Sequence, residues 1–159
     1  MIKISSIKFY FITFILSILF YSVGNTKNEF PLDPAITHGK LENGFTYYIR
    51  ENQTPKDKVS IKLIIKAGSI MEEENQLGLA HLLEHMAFKG TKNFPKKKID
   101  EYMSSIGLNL GSHYNATTGF LETSYDYEIP TKNDKDVEIA LKILTDISKN
   151  LSLESEAFE

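Results

Sequence analysis

The chain is 159 residues long, with 42% hydrophobic residues, four histidines and a formal net charge of −3. This composition fits one modest globular domain or part of a larger one. The small negative charge and the lack of a basic stripe argue against nucleic-acid binding. Because the chain contains no cysteine, disulfides, Cys₄ zinc sites and thiol catalysis are excluded, and any metal site must use histidine and carboxylate ligands.

The N-terminus has the layout of a secretory signal peptide. Lys3 and Lys8 precede an apolar run at 9–21, and small residues follow at Ser22 and Gly24. A positive region, an apolar region and small residues two apart are typical of a cleaved signal. The apolar run is shorter than the about 20 residues that a membrane-spanning helix needs, which disfavours an uncleaved anchor. We therefore expect residues 1–24 to be removed, export to the periplasm or the medium, and no stable membrane span afterwards.

An irregular segment and two strands are predicted next. Residues 25–40 contain prolines and a glycine with little periodicity, and are expected to form an extended leader before a domain at 41–159. The Asn43-Gly44 pair precedes an aromatic and β-branched run, which predicts a tight turn entering a strand. From Val59 to Lys66 apolar and polar residues alternate, which predicts a half-buried strand.

The remainder of the chain predicts three helices and two more strands. The apolar segment Leu77–Phe88 indicates a mostly buried helix, and Pro95 opens a second helix. Residues 108–119 indicate an irregular strand, and the clear alternation over 121–129 indicates a regular one. Apolar residues at helical spacing predict a third helix over 134–151. The order β-β-α-α-β-β-α predicts an α+β fold, a mixed sheet with helices packed on one face.

One turn of the first helix carries the most informative residues. His81, Glu84 and His85 stand at positions i, i+3 and i+4, so a helix brings their side chains to one face. Two neutral histidines four residues apart can bind one zinc ion, and the carboxylate between them can take a proton from a water that the metal activates. A structural histidine pair is the alternative, but burying these groups in so apolar a helix is costly unless they are paired or bind a metal. The order H-x-x-E-H is the inverzincin signature.

The residues around this motif resemble a known peptidase family. The stretch Gly-Leu-Ala-His-Leu-Leu-Glu-His-Met-Ala-Phe-Lys-Gly-Thr at 78–91 closely resembles the active-site segment of the M16 metallopeptidases, the family of insulin-degrading enzyme, pitrilysin and the mitochondrial processing peptidase. Other stretches resemble the family's first strand, the end of its second strand and the strand that lines its substrate cleft: 41–49, 66–69, and 115–118 with 122–125. The likeness covers essentially all of residues 36–159, and within the family it is greatest to exported bacterial zinc proteases of the PqqL type.

The resemblance implies an α+β domain of the M16 type, LuxS/mitochondrial processing peptidase-like, that pairs with a second M16 domain in the complete enzyme. It implies a Zn²⁺ cofactor bound by His81 and His85, a peptide substrate, and Glu84 as the general base that passes a proton from water to the leaving amine. Asn115 and Ala116 would hold an extended peptide by strand addition at an open sheet edge. The alternative for Asn115 is an ordinary loop residue that satisfies its own turn.

The third zinc ligand is the point at which the chain departs from the family pattern. A catalytic zinc site uses three protein ligands and an open position, and in this family the third is a glutamate about 75 residues after the second histidine. Here His85 is followed by 74 residues in a chain of 159. Glu154 and Glu156 resemble the acidic lead-in to the ligand-bearing helix. We therefore expect the third ligand beyond Glu159, with Glu159 as the only serious candidate in the chain, and a domain incomplete at its C-terminus.

Hypotheses of different classes follow. In the first, the chain is the N-terminal piece of an exported zinc endopeptidase that cleaves peptides or small proteins, and the piece alone is inactive. In the second, the chain is a non-catalytic M16-like remnant or binding module that lacks the third ligand and holds zinc weakly. A docking subunit is the weakest alternative, because a scaffold has no reason to keep His81, Glu84 and His85 together.

Overall fold

The computed structural model describes residues 31–153. The predicted signal peptide at 1–24, the first part of the predicted leader, and Glu154, Glu156 and Glu159 lie outside these residues. The chain divides into two compact units between Asn52 and Gln53, and each is described by itself. In the described part of the chain, no helix combines the length and apolar character that crossing a membrane requires.

The described part of the first unit contains a β-hairpin. Strand β1, Ile36–Lys40, pairs antiparallel with strand β2, Thr46–Arg50. The chain reverses through a tight turn in which the Leu41 N–H donates to the Phe45 carbonyl at 2.8 Å, and Gly44 has a φ of 88° that favours glycine. The predicted turn and the strand that it enters are confirmed. Strand β1 falls in the segment expected to be an extended leader, and its short sequence gave no alternating signal of its own.

The second unit contains a three-stranded antiparallel sheet. Its strands are β3, Lys58–Ile65, β4, Tyr114–Thr118, and β5, Thr123–Pro130, in the order β3-β5-β4. The central strand places Tyr125 between Leu63 of β3 and Ala116 of β4. The sheet differs from the expected mixed one because β5 runs against both neighbours, so that β3 and β4 are parallel in direction without being paired.

Within residues 53–153 three α-helices accompany this sheet, and the α+β class is confirmed. They are α1, Leu79–Lys89, α2, Lys98–Ser105, and α3, Asp134–Lys149. Two short 3₁₀ turns, Ser69–Met71 and Glu74–Gln76, occupy the acidic connection between β3 and α1. The helices therefore follow the predicted order and lie close to their predicted bounds.

The core lies between one face of the sheet and the three helices. Alternate residues of β5, namely Tyr125, Tyr127 and Ile129, are buried there, as the alternating sequence predicts. They pack with side chains of all three helices, among them Ala87, Ile99, Met103, Ala140, Ile143, Leu144 and Ile147. The opposite face is polar and carries the cross-strand ion pairs Lys58–Glu128 and Lys62–Asp126. Helices on one face of the sheet are thus confirmed.

The prediction of a mostly buried first helix is wrong for the described residues. Of α1, only Glu84, Met86 and Ala87 are buried, whereas Leu79 and Leu82 are 42% and 41% exposed. The helix packs against β4 and the 3₁₀ turn at Ser69–Met71, which cover one side of it. The helix therefore has more apolar side chains than the described part of the chain covers.

Candidate metal centre

The N-terminus of α1 is capped by a side chain from the preceding connection. The Glu72 carboxylate accepts hydrogen bonds from the Gly78 N–H at 2.8 Å and from the Ala80 N–H at 2.7 Å. These two bonds, the one from Ala80 first, lower the pKa of Glu72 because they favour its charged form. A carboxylate at this end of a helix also interacts favourably with the helix dipole. The turn fixed in this way leads directly into His81.

The two histidines of the motif lie side by side at the surface. Both rings are exposed, with their centroids 4.5 Å apart and their planes inclined at 48°. The Nε2 atoms of His81 and His85 are separated by 3.1 Å. Two nitrogens this close share either a proton, as a hydrogen bond whose direction depends on the tautomers, or a cation.

Glu84 sits on the same helical turn but in a different environment. It is 7% exposed, and its Oε2 accepts a hydrogen bond from the Thr118 hydroxyl at 2.7 Å. The buried ring of Tyr125 lies near: burial raises the pKa of Tyr125 to about 12, and the negative charge of Glu84 contributes to the rise. The motif thus combines two exposed imidazoles with one buried and hydrogen-bonded carboxylate.

Thr118 is the site residue that sequence reasoning missed. It lies in the stretch likened to the family's cleft-lining strand, but nothing in the sequence assigned it a partner. The bond to Glu84 joins residues 34 positions apart and exists because α1 packs on β4. No local pattern could have indicated it.

The predicted peptide-binding residues lie on β4, which is one of the two outer strands in the described order β3-β5-β4. Asn115 is exposed and Ala116 is buried, as expected for neighbours on a strand. They pair with Asp126 and Tyr125 of β5. Asn115 is therefore a strand residue and not the loop residue of the alternative interpretation.

Comparison with known proteins adds the family. Residues 47–159 match the family model described as Insulinase (Peptidase family M16). The chain belongs to peptidase family M16. The "Probable zinc protease PqqL" of Haemophilus influenzae is 38% identical over 125 residues, which are 79% of this chain and 14% of that protein. The relative of the same name from Escherichia coli is 39% identical over 124 residues, 78% of this chain and 13% of that protein.

Solved structures of related proteases have a similar fold. The periplasmic protease PqqL from Escherichia coli superposes with a TM-score of 0.77 at 38% identity, over 80% of this chain and 14% of that one. The ferredoxin protease FusC, in complex with Arabidopsis ferredoxin, gives a TM-score of 0.68 at 32% identity, over 76% of this chain and 13% of that one. The chain thus spans about 14% of the length of the first relative it matches, and these relatives are zinc proteases by name.

The two imidazoles fit the zinc that the names of these relatives imply. Imidazole nitrogen is a common zinc ligand, and zinc–nitrogen bonds are about 2.0–2.1 Å long, so the 3.1 Å between the two Nε2 atoms is short enough for both to reach one ion. The chemistry and the spacing of the two donors therefore fit zinc.

No third ligand accompanies the pair within residues 31–153, where no group of three or more histidine, cysteine, aspartate or glutamate side chains could hold a metal ion. The expected position of the third ligand, at or beyond Glu159, lies outside the described residues and stays a prediction.

An apolar cleft of about 310 Å³ opens beside the buried carboxylate. Its apolar lining comes from α1, from the sheet and from the chain around the end of α3, and Glu72 and Glu84 contribute to its wall: Ile65, Leu79, Leu83, Tyr125, Ile147 and Leu151 are among the lining residues.

Proposed function

We propose that this chain is the metal-binding part of an exported zinc endopeptidase that hydrolyses peptide bonds in peptides or small proteins. The observation that carries the proposal is the 3.1 Å separation between the Nε2 atoms of His81 and His85 on the turn that also bears Glu84. Family membership supports it, as does the shared name of zinc protease among the relatives. Because the chain spans only part of those relatives, the activity belongs to the full gene product.

Each residue of the motif has a separate role in this proposal. His81 and His85 hold the zinc ion, which when bound acts as a Lewis acid that polarises the scissile carbonyl and makes water more acidic. Glu84 accepts a proton from the attacking water and delivers it to the leaving amine. The Thr118 hydroxyl donates a hydrogen bond to Oε2 of Glu84. This bond fixes the orientation of the carboxylate and leaves Oε1 to accept the proton.

The outer edge of β4 is the proposed binding site for the substrate backbone. An extended peptide adds to this edge alongside Asn115 and Ala116, with main-chain hydrogen bonds to the one of the two whose N–H and C=O point away from β5. Such recognition depends on an extended backbone more than on particular side chains. It suits a peptidase that takes peptides or locally unfolded segments.

Export and a second domain complete the proposal. Residues 1–24 act as a cleaved signal peptide, and the Escherichia coli PqqL is described as periplasmic. A second M16 domain, outside this chain, pairs with the one that begins at residue 41. The share of the relatives that the chain spans leaves ample length for it.

A non-catalytic remnant or binding module is the second candidate. It holds if no ligand follows residue 153, because residues 31–153 contain no third ligand for the histidine pair. The coding sequence after codon 159 separates the two. A glutamate-rich helix there supports the peptidase, and an immediate stop codon supports the remnant.

The decisive experiment uses the full gene product and the variant Glu84→Gln. We expect zinc to stay bound while cleavage of an unstructured peptide falls by at least about 100-fold, since general acid–base catalysis contributes on the order of 10²–10⁴. Glu138→Gln is the matched control, because Glu138 is exposed on α3 and forms a surface ion pair with Lys142. Undiminished cleavage by Glu84→Gln would remove this residue from the role of base, and stoichiometric zinc in a His81→Ala, His85→Ala variant would remove the metal site.

A further inference from the structure

The histidine-bearing helix begins without a capping side chain at its own N-cap position. The residue there is Gly78, whose φ of 89° lies in the left-handed region that favours glycine, and a glycine has no side-chain oxygen to offer. The first N–H groups of an α-helix have no carbonyl partner within the helix. His81 is the third residue of α1, so it belongs to the turn that a missing cap leaves free to fray.

Glu72 supplies the cap from the preceding connection. Its Oε2 accepts a hydrogen bond from the Gly78 N–H at 2.8 Å, and its Oε1 accepts one from the Ala80 N–H at 2.7 Å. The Leu82 N–H then donates to the Gly78 carbonyl at 2.9 Å, which closes the turn that contains His81. Because both carboxylate oxygens bind backbone N–H groups of α1, Glu72 acts on the helix backbone directly before His81.

The segment that ends at Glu72 is itself held by the connection between β4 and β5. Glu72 follows the short 3₁₀ turn that begins at Ser69. The Ser69 N–H donates to the Gly119 carbonyl at 3.1 Å, and the next N–H along the chain donates to the Phe120 carbonyl at 3.0 Å. A Cβ atom at Gly68 would overlap the Gly119 carbonyl oxygen, so this close approach depends on glycine. The cap of α1 is therefore anchored to the sheet.

The same part of the sheet holds the histidine-bearing turn at a second point. Thr118, the last residue of β4, donates to the Glu84 carboxylate at 2.7 Å. The helix is thus fixed before His81 by the bonds to Glu72 and next to His85 by the bond from Thr118. Loss of the first attachment would let His81 leave the helix while His85 stayed in place. The spacing of the two imidazoles therefore depends on the cap.

We propose that Glu72 is a positioning residue for the metal centre, which keeps His81 in the helix and so in register with His85. This inference rests on the proposed function. Glu72 acts through the N–H groups of Gly78 and Ala80 and not as a ligand, since those groups take up both of its oxygens. The apparent affinity for an ion that needs both imidazoles falls with the fraction of molecules in which both are in place.

The main test is Glu72→Ala in the full gene product, with zinc affinity measured by chelator competition at a temperature where the protein is folded. We expect the affinity to fall about 3–30-fold, the factor by which loss of a helix cap shifts the helix equilibrium. Glu72→Gln keeps one acceptor oxygen but directs an amide N–H at a second donor, and it should give a smaller loss. This milder variant covers the case in which Glu72→Ala does not fold.

Two controls separate positioning from the loss of a charge and from the loss of a cap elsewhere. Glu73→Gln removes the neighbouring carboxylate, which caps the 3₁₀ turn Glu74–Gln76 and not α1. Asn133→Ala removes the cap of α3, where the side-chain oxygen accepts from the Lys135 N–H at 3.2 Å. Both variants should keep their zinc affinity within about twofold of wild type, because neither side chain holds the turn that carries the histidines.

A measurement without zinc tests the same mechanism. In an α-helix the His85 N–H bonds to the His81 carbonyl, so its hydrogen exchange reports whether His81 is in the helix. Exchange at this N–H should be faster in metal-free Glu72→Ala than in wild type and unchanged in Asn133→Ala. Unchanged exchange or unchanged zinc affinity in the Glu72 variants, or equal losses of affinity in the controls, would overturn the positioning role alone. Failure of the wild-type protein to bind zinc would instead overturn the proposed function and this inference with it.

Discussion

The hydroxyl of Thr118 donates a 2.7 Å hydrogen bond to Oε2 of Glu84, which joins the end of β4 to the helix that carries both histidines. The bond places the strand proposed to bind substrate and the proposed general base in one hydrogen-bonded unit. A hydrogen bond to a charged group contributes about 1.5–3 kcal/mol. Loss of this bond should therefore loosen the carboxylate of Glu84.

Thr118→Val should lower kcat for peptide cleavage by about 10–100-fold in the full gene product, because about 1.4 kcal/mol corresponds to a factor of ten. Zinc content should not change, since Thr118 bonds to the carboxylate and not to either imidazole. Thr118→Ser keeps the hydroxyl and should retain most of the activity. Steady-state kinetics and metal analysis on the three proteins test this, and equal activity of the valine and serine variants would refute it.

The difference between Thr118 and the histidines shows what a sequence can predict here. His81, Glu84 and His85 are neighbours because helical geometry fixes residues three and four apart, so their spacing was enough. Thr118 reaches Glu84 only after α1 has packed on β4. Asp146 of α3 likewise accepts a hydrogen bond from Thr91 through an arrangement of α1 and α3 that no local pattern describes.

For the fold as well, local patterns predicted the elements, whereas features that depend on packing were not predicted. The alternation of β5 and the helical spacing of α3 predicted both elements, because each has one face against the core. Strand β1 contains Gly39 and only five residues, and its pairing with β2 rather than its own pattern makes it a strand. Apolar composition overstated the burial of α1, since composition indicates a tendency to bury and the surroundings decide what is covered.

Zinc should stabilise the folded protein through His81 and His85. A ligand that binds only the native state adds about 2.7 kcal/mol when its concentration is 100 times its Kd. We expect the melting temperature of the full gene product to rise with zinc and to return to the metal-free value with a chelator. His85→Ala should lose this response. His113→Ala, a change at a histidine whose Nδ1 accepts from the Asn109 N–H, should keep it.

The β4 edge gives a prediction about substrates. If the peptide adds as a strand, its own N–H groups donate to the edge, so N-methylation of alternate residues should raise KM about tenfold or more while methylation of the residues between them should not, because successive N–H groups of a strand point in opposite directions. Peptides of identical sequence with single N-methyl groups test this without changing the protein. A uniform response at all positions would contradict strand addition at Asn115 and Ala116.

The charge of Asp146 gives a prediction about pH. Burial by itself would raise the pKa of this carboxyl, but the hydrogen bonds from Asn150, Asn93 and Thr91 outweigh it and hold the pKa below the usual value of 3.8. A carboxyl whose pKa is lower in the folded than in the unfolded protein stabilises the fold fully above the unfolded pKa, and this contribution is lost as the pH falls through the folded pKa.

The difference in unfolding free energy between wild type and Asp146→Asn should therefore be constant from about pH 5 to pH 7 and should shrink below about pH 4. There the carboxyl of the unfolded wild-type chain takes up a proton before that of the folded protein does, whereas the amide does not titrate. Chemical denaturation at a series of pH values measures it. The neutral pair Thr145→Ala and Ser148→Ala on the same helix, which lose only side-chain bonds to helix carbonyls, should show no such dependence. A difference that grew toward acid would mean that Asp146 is protonated in the folded protein, and its four hydrogen bonds would then have to be reassigned.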